Sequence, residues 1–209
     1  MKDYFIKTPW WLKKIYGSYT WDVKTSDKIV YLTFDDGPHP VATPFVLDEL
    51  MKVSGKASFF CIGKNVIAEP AIYRRILDEG HAVGNHTFSH LNGWKTSNKK
   101  YLEDVAEAGK YIDSNLFRPP YGRISSFQAS NLATVLKKPL VKVVMWDVLS
   151  ADFDTTLSGE DCLKNIVLNI RPGSIVIMHD SQKALERLQY LLPLLLAYLK
   201  KEGYVLGKL

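Results

Sequence analysis

The chain has 209 residues, enough for one domain with a substantial core. Its 46% hydrophobic and 23% charged residues are ordinary for a soluble globular protein. The net charge of +5 comes from dispersed pairs such as Lys13-Lys14, Lys99-Lys100, Lys137-Lys138 and Lys200-Lys201. Without a basic block that interleaves aromatics, nucleic-acid binding has little support, and no apolar window is long enough for a membrane span.

The first 24 residues hold charged residues among their apolar positions, with no clean hydrophobic stretch or small-residue cleavage site. Their Trp10, Trp11 and Tyr16 suit either contact with a membrane surface or, by preference, packing on a domain formed by residues 25–209. As written, the sequence suggests a cytoplasmic protein. Cys61 and Cys162 lack a CxxC neighbour and read as packing residues.

Strands are predicted near Ile29–Phe34, Ala57–Cys61, Ala82–Gly84, Leu116–Arg118, Val141–Trp146, Ser174–His179 and Tyr204–Leu206. Helical spacing falls between them, at Pro44–Val53, Pro70–Glu79, Lys99–Asn115, Ser126–Leu136, Gly159–Asn169 and Lys183–Lys201. Such alternation implies right-handed βαβ units and a parallel sheet. About seven strands predict a single α/β domain curled into a distorted, incomplete (β/α) barrel.

Polar clusters follow the strands. Asp35-Asp36 ends the first, and Gly37-Pro38 predicts a turn that exposes both carboxylates, one free for a metal and the other for substrate. Alone, this reads equally as a solvated turn. His86 and His90 stand four apart, the spacing that places two imidazoles on one face of a helical turn within reach of one ion. The Asn85-His86-Thr87 sequon is set aside because no signal peptide accompanies it. Arg118-Pro119-Pro120-Tyr121-Gly122 is stiffened by its prolines and suits a loop that fixes an Arg fork and a backbone N–H. Trp146-Asp147 and Ser150-Ala151-Asp152 form a fourth cluster. His179-Asp180 ends a later strand and offers a proton donor.

In this order, and each beside a strand, these clusters resemble the polysaccharide deacetylase family (carbohydrate esterase family four, NodB-like domains), from Asp35 to Asp180. The resemblance implies a metal-dependent hydrolase that removes acetyl groups from an N-acetylated, or second an O-acetylated, sugar or polysaccharide. It implies Asp36, His86 and His90 as ligands of one divalent ion, zinc first and cobalt or nickel as substitutes. It makes Asp35 the general base, Arg118 its partner, His179 the general acid and Asp152 the group that tunes it. Tyr121 would give its N–H to the oxyanion, with Phe153 and Ile177 lining the acetyl pocket. The chain departs from the family at Leu149, where an Asp is usual, and at Phe153, where a Trp is usual, which puts substrate identity in question. Two other readings follow: an amidase of the same superfamily acting on a small cyclic amide or imide, and a glycan-binding module with a dead site.

Overall fold

The strand Ile29–Asp35 (β1) shows how this sheet sorts its side chains. Val30, Leu32 and Phe34 enter a core shared with helix residues such as Val46, Leu50, Leu188 and Leu195. Alternation sends Tyr31, Thr33 and Asp35 to the opposite face. The computed structural model, which describes residues 4–209, keeps this parity across the neighbouring strands. Phe34 sits beside Phe59 of β2 (Ser58–Cys61) and Met178 of β7 (Ile175–His179), all three in the helix-side core. Phe60 and Ile175 instead join Leu116 and Val144 in an interior cluster.

The sheet is completed by β3 (Ala82–Asn85), β4 (Leu116–Phe117), β5 (Lys142–Val143), β6 (Val148–Leu149) and β8 (Val205–Gly207). The order is β5-β4-β3-β2-β1-β7-β6, every pairing is parallel, and β8 extends the sheet beside the start of β1. The terminal strands β5 and β6 do not pair, so the barrel is distorted and incomplete. Helices α1 (Trp10–Ile15), α2 (Ala42–Lys52), α3 (Gly63–Ala68), α4 (Pro70–Asp78), α5 (Asn98–Ala108), α6 (Ser126–Val135), α7 (Gly159–Val167) and α8 (Leu185–Lys201) surround the sheet. In α8 the buried stripe Leu188, Leu191, Leu192, Leu195, Leu196 and Leu199 follows the helical period. Among the described residues no helix is long and apolar enough to cross a membrane.

The expected strand Val141–Trp146 is shortened to β5, and a further, unexpected strand, β6, follows it, because the N-terminal segment takes backbone hydrogen bonds in and after this stretch. Thr20 donates to the Val143 carbonyl at 2.8 Å and accepts from the Met145 N–H at 2.7 Å. Ile6 accepts from the Leu149 N–H at 2.8 Å, and the Thr8 N–H reaches the Asp147 carbonyl at 2.9 Å. The segment therefore lies along the open side of the sheet; residues 1–3 of it are outside the described range. The helix expected over Lys99–Asn115 stops at Ala108, with Gly109 as its cap and a turn leading to β4. The short α3 was not anticipated, being too brief to show a period.

Candidate active site

The parity of β1 decides the fate of the acidic pair. Asp35 points inward and is buried, so the turn does not expose it as expected from the sequence. Asp36, at φ 80°, leaves the strand direction. Gly37 is required by its neighbour: a Cβ there would fall 2.1 Å from Asp180 Oδ2. The Gly37 N–H instead donates to Asp180 Oδ1 at 3.1 Å, and Thr43 donates to Asp180 Oδ2 at 2.5 Å. Burial pushes the Asp180 carboxyl up to about 8 despite the Thr43 hydrogen bond. Asp180 thus holds the turn that presents Asp36, a task that only a contact between residues 143 apart could reveal.

His86 and His90 do not share a helical turn. They flank a loop in which Thr87 and His90 have φ values of 63° and 57°. Asn85 Oδ1 accepts the Thr87 N–H at 2.8 Å, while Asp104 Oδ2 accepts the N–H groups of Phe88 and Ser89 at 2.8 and 2.9 Å. Those side-chain acceptors replace a helical ladder, and the imidazoles still meet, with centroids 5.1 Å apart. His90 Nε2 lies 3.2 Å and His86 Nε2 3.7 Å from Asp36 Oδ1. Among the described residues, Asp36, His86 and His90 form a cluster whose ligand atoms lie within 4.8 Å of one another.

The donor chemistry fits a divalent ion. His86 Nδ1 is 2.7 Å from the Arg118 carbonyl, which can only accept, so Nδ1 carries the proton and Nε2 offers its lone pair. Burial lowers the His86 pKa to about 4, which keeps the ring neutral as a ligand must be. Asp36 Oδ1 is buried without a hydrogen-bond donor. Burial opposes the charge of that carboxylate, but the adjacent His90, His179 and His86 outweigh it and hold Asp36 well below the usual carboxylate range. Three such donors leave coordination open for water or substrate.

Arg118 is wholly buried, at the end of β4. Its Nη1 donates to Asp35 Oδ1 at 2.6 Å and to Thr33 Oγ1 at 2.8 Å. Nε and Nη2 reach the carbonyls of Val144 and Met145 at 3.1 and 2.9 Å, and the guanidinium lies 4.0 Å over the Phe60 ring. The carbonyls freed by the break between β5 and β6 are therefore part of what aims Asp35. Pro119 and Pro120 lead into a 3-10 turn in which Tyr121 has φ 60°, its ring 4.7 Å from that of His90.

On the other side of Asp36, His179 Nδ1 lies 2.7 Å from Asp152 Oδ1, and the His179 N–H donates to Asp152 Oδ2 at 2.8 Å. The Ser150 hydroxyl adds a bond to Asp152 Oδ1 at 2.9 Å, and Arg187 Nε donates to the Asp152 carbonyl at 2.6 Å. Burial disfavours the imidazolium, but Asp152, aided by Asp36 and Asp35, raises the His179 pKa to about 9. Phe153 stands edge-on to His179 with centroids 5.3 Å apart, and Tyr4 stands edge-on to Phe153 at 5.5 Å. The Tyr4 hydroxyl is held by Asp154 Oδ2 at 2.6 Å.

Asp35, Asp36, His86, His90, Tyr121, Leu149, Phe153, Ile177 and His179 line one cavity of about 630 Å³. Arg118 and Asp152 lie behind it, fully buried, each gripping a group that faces the cavity. Sequence reasoning missed Asp180, Asp104 and Tyr4. Asp180 was visible beside His179, but its task, like those of Asp104 and Tyr4, shows only in contacts distant in sequence.

Carboxylates, imidazoles and a buried guanidinium at one end of a curled parallel sheet define an α/β-barrel hydrolase. The model of the family described as polysaccharide deacetylase matches residues 22–138. The chain is 34% identical over 194 residues to a peptidoglycan-N-acetylglucosamine deacetylase of Bacillus cereus, covering 90% of this chain and 89% of that protein. It is 35% identical over 158 residues to a chitooligosaccharide deacetylase of Azorhizobium caulinodans, covering 72% and 73% of the two. A crystal structure of a peptidoglycan N-acetylglucosamine deacetylase superposes with a TM-score of 0.85 at 30% identity, covering 97% of this chain and 95% of that one. The chain belongs to the polysaccharide deacetylase family, a family of carbohydrate-deacetylating hydrolases.

Proposed function

We propose that this chain removes acetyl groups from N-acetylated hexosamine units of a glycan, using a divalent metal ion held by Asp36, His86 and His90. The observation that carries the reading is the arrangement about the metal donors: Arg118-held Asp35 on one side and Asp152-held His179 on the other, facing one cavity. When bound, the ion, zinc by preference with cobalt or nickel as substitutes, supplies Lewis acidity and a water of lowered pKa.

The chain's own residues divide the proton work. Asp35 Oδ2 faces the His86 side at 3.8 Å from Nε2, while Oδ1 is tied to Arg118, so Oδ2 is the oxygen that takes a proton from the attacking water. The backbone N–H of Tyr121 is assigned to the developing oxyanion, held in place by the two prolines before it. His179 gives its proton to the departing amine, and a pKa of about 9 keeps that proton in place at neutral pH. An amine needs this donor more than an alkoxide does, which favours amides over esters. Ile177, Leu149 and Phe153 offer the apolar surface that an acetyl methyl group requires. The relatives named for deacetylation of peptidoglycan N-acetylglucosamine and chitooligosaccharides support the same substrate class.

Acetate release from chitooligosaccharides, N-acetylated peptidoglycan and O-acetylated xylan tests this reading. Turnover of the first two should exceed that of the xylan ester. Release from the ester alone would contradict it.

A further inference from the structure

The N-terminal segment is fastened on both sides of a loop that reaches the catalytic cavity. Residues 6–8 and 20 bond to the backbone around β5 and β6. Between them, the ammonium groups of Lys7 (2.6 Å) and Lys13 both contact the fully buried Asp147. So anchored, Phe5 and Trp11 line the same cavity as the metal donors. Their rings meet edge-on, with centroids 6.4 Å apart at 89°, yet remain 56% and 45% exposed. On the opposite bank Trp94 and Tyr121 are also exposed. Trp94 is fixed by its Nε1–H donating to the Ile124 carbonyl at 3.0 Å and by the Arg123 guanidinium 4.2 Å over its ring.

The cavity is larger than one acetylated sugar ring needs, and aromatic rings line it beyond the metal donors, with Arg123 and Lys183 also on its wall. Pyranose rings present apolar C–H faces with polar edges, and aromatic rings with few torsions bind such faces at low entropic cost. The occupant must be continuous with the unit undergoing reaction, since the rings and the metal donors share one cavity. This reasoning rests on the deacetylase reading above.

We propose that Phe5 and Trp11 form a sugar-stacking subsite for a glycan unit flanking the one that is deacetylated, so that the N-terminal segment selects for chain length. In the metal-loaded enzyme, Trp11→Ala should lower the tetramer-to-monomer ratio of kcat/KM for N-acetylchitooligosaccharides roughly tenfold, through KM. Trp11→Tyr should restore most of it. In an Asp35→Asn background, which blocks turnover, adding Trp11→Ala should weaken calorimetric binding of chitotetraose by a similar factor. An unchanged kcat/KM ratio, or equal chitotetraose affinity with and without Trp11, would overturn the subsite. No acetate release from any oligomer by the wild-type enzyme would instead overturn the deacetylase reading, and the binding comparison would still decide the subsite.

Discussion

Asp152 grips His179 twice, with Oδ1 2.7 Å from Nδ1 and Oδ2 accepting the His179 backbone N–H at 2.8 Å. This fixes both the ring and its protonation. Nδ1 faces a carboxylate, Nε2 is turned to the cavity, and the pKa rises to about 9. A general acid must be protonated, so kcat should hold through neutral pH and fall as pH passes through about 9. Asp152→Asn removes the anion but leaves the burial that disfavours the imidazolium. The alkaline limb of the kcat profile, measured with chemistry rate-limiting, should therefore move to lower pH. An unshifted limb would contradict the role of Asp152.

Asp35→Asn keeps the shape and a hydrogen bond to Arg118 but cannot take a proton. We expect kcat to fall by roughly 10²-fold or more with metal content retained, and His179→Ala to fall by at least as much. Steady-state kinetics paired with metal analysis checks both. Wild-type turnover in Asp35→Asn would remove it from the role of base.

Asp147 should govern the N-terminal segment rather than the chemistry. Burial opposes its charge, but Lys13, Lys7 and Ser174 outweigh it and lower its pKa. A depressed pKa adds stability above the unfolded value near 3.9, and that stability is lost as pH falls through the folded value. Asp147→Ala removes the buried acceptor of the partly exposed Lys7 and Lys13 and should cost about 1–2 kcal/mol, read in denaturant unfolding at neutral pH. The difference between Asp147→Ala and wild type should shrink in acid. Limited proteolysis of the variant should cut first within residues 9–19.

Tyr4 packs edge-on against Phe153, its ring 5.5 Å away, and lines the same cavity. Tyr4→Ala should open the acyl pocket and raise activity on N-propionyl relative to N-acetyl substrates. Phe153→Trp should change acyl preference without changing metal affinity. Identical acyl profiles in all three proteins would show that this wall does not touch the acyl group.

The strand-end clusters were legible because β1 and β7 alternate cleanly, placing Asp35 and His179 side by side in register. The His86–His90 loop was legible in its spacing but not in its conformation, which Asp104 imposes from α5. The break between β5 and β6 was hidden for the same physical reason. Nothing local in residues 141–149 announces that Ile6, Thr8 and Thr20 will claim their backbone, and so the carbonyls that hold Arg118 were out of sight as well.

The most direct test of the account is a metal titration of acetate release. Chelator-treated protein should be inactive on N-acetylchitotetraose, and added zinc should restore activity linearly to a plateau at one ion per chain. The His86→Ala/His90→Ala double variant should show no such recovery. Full activity after chelation, or stoichiometric metal and turnover in the double variant, would contradict a reaction centred on Asp36, His86 and His90.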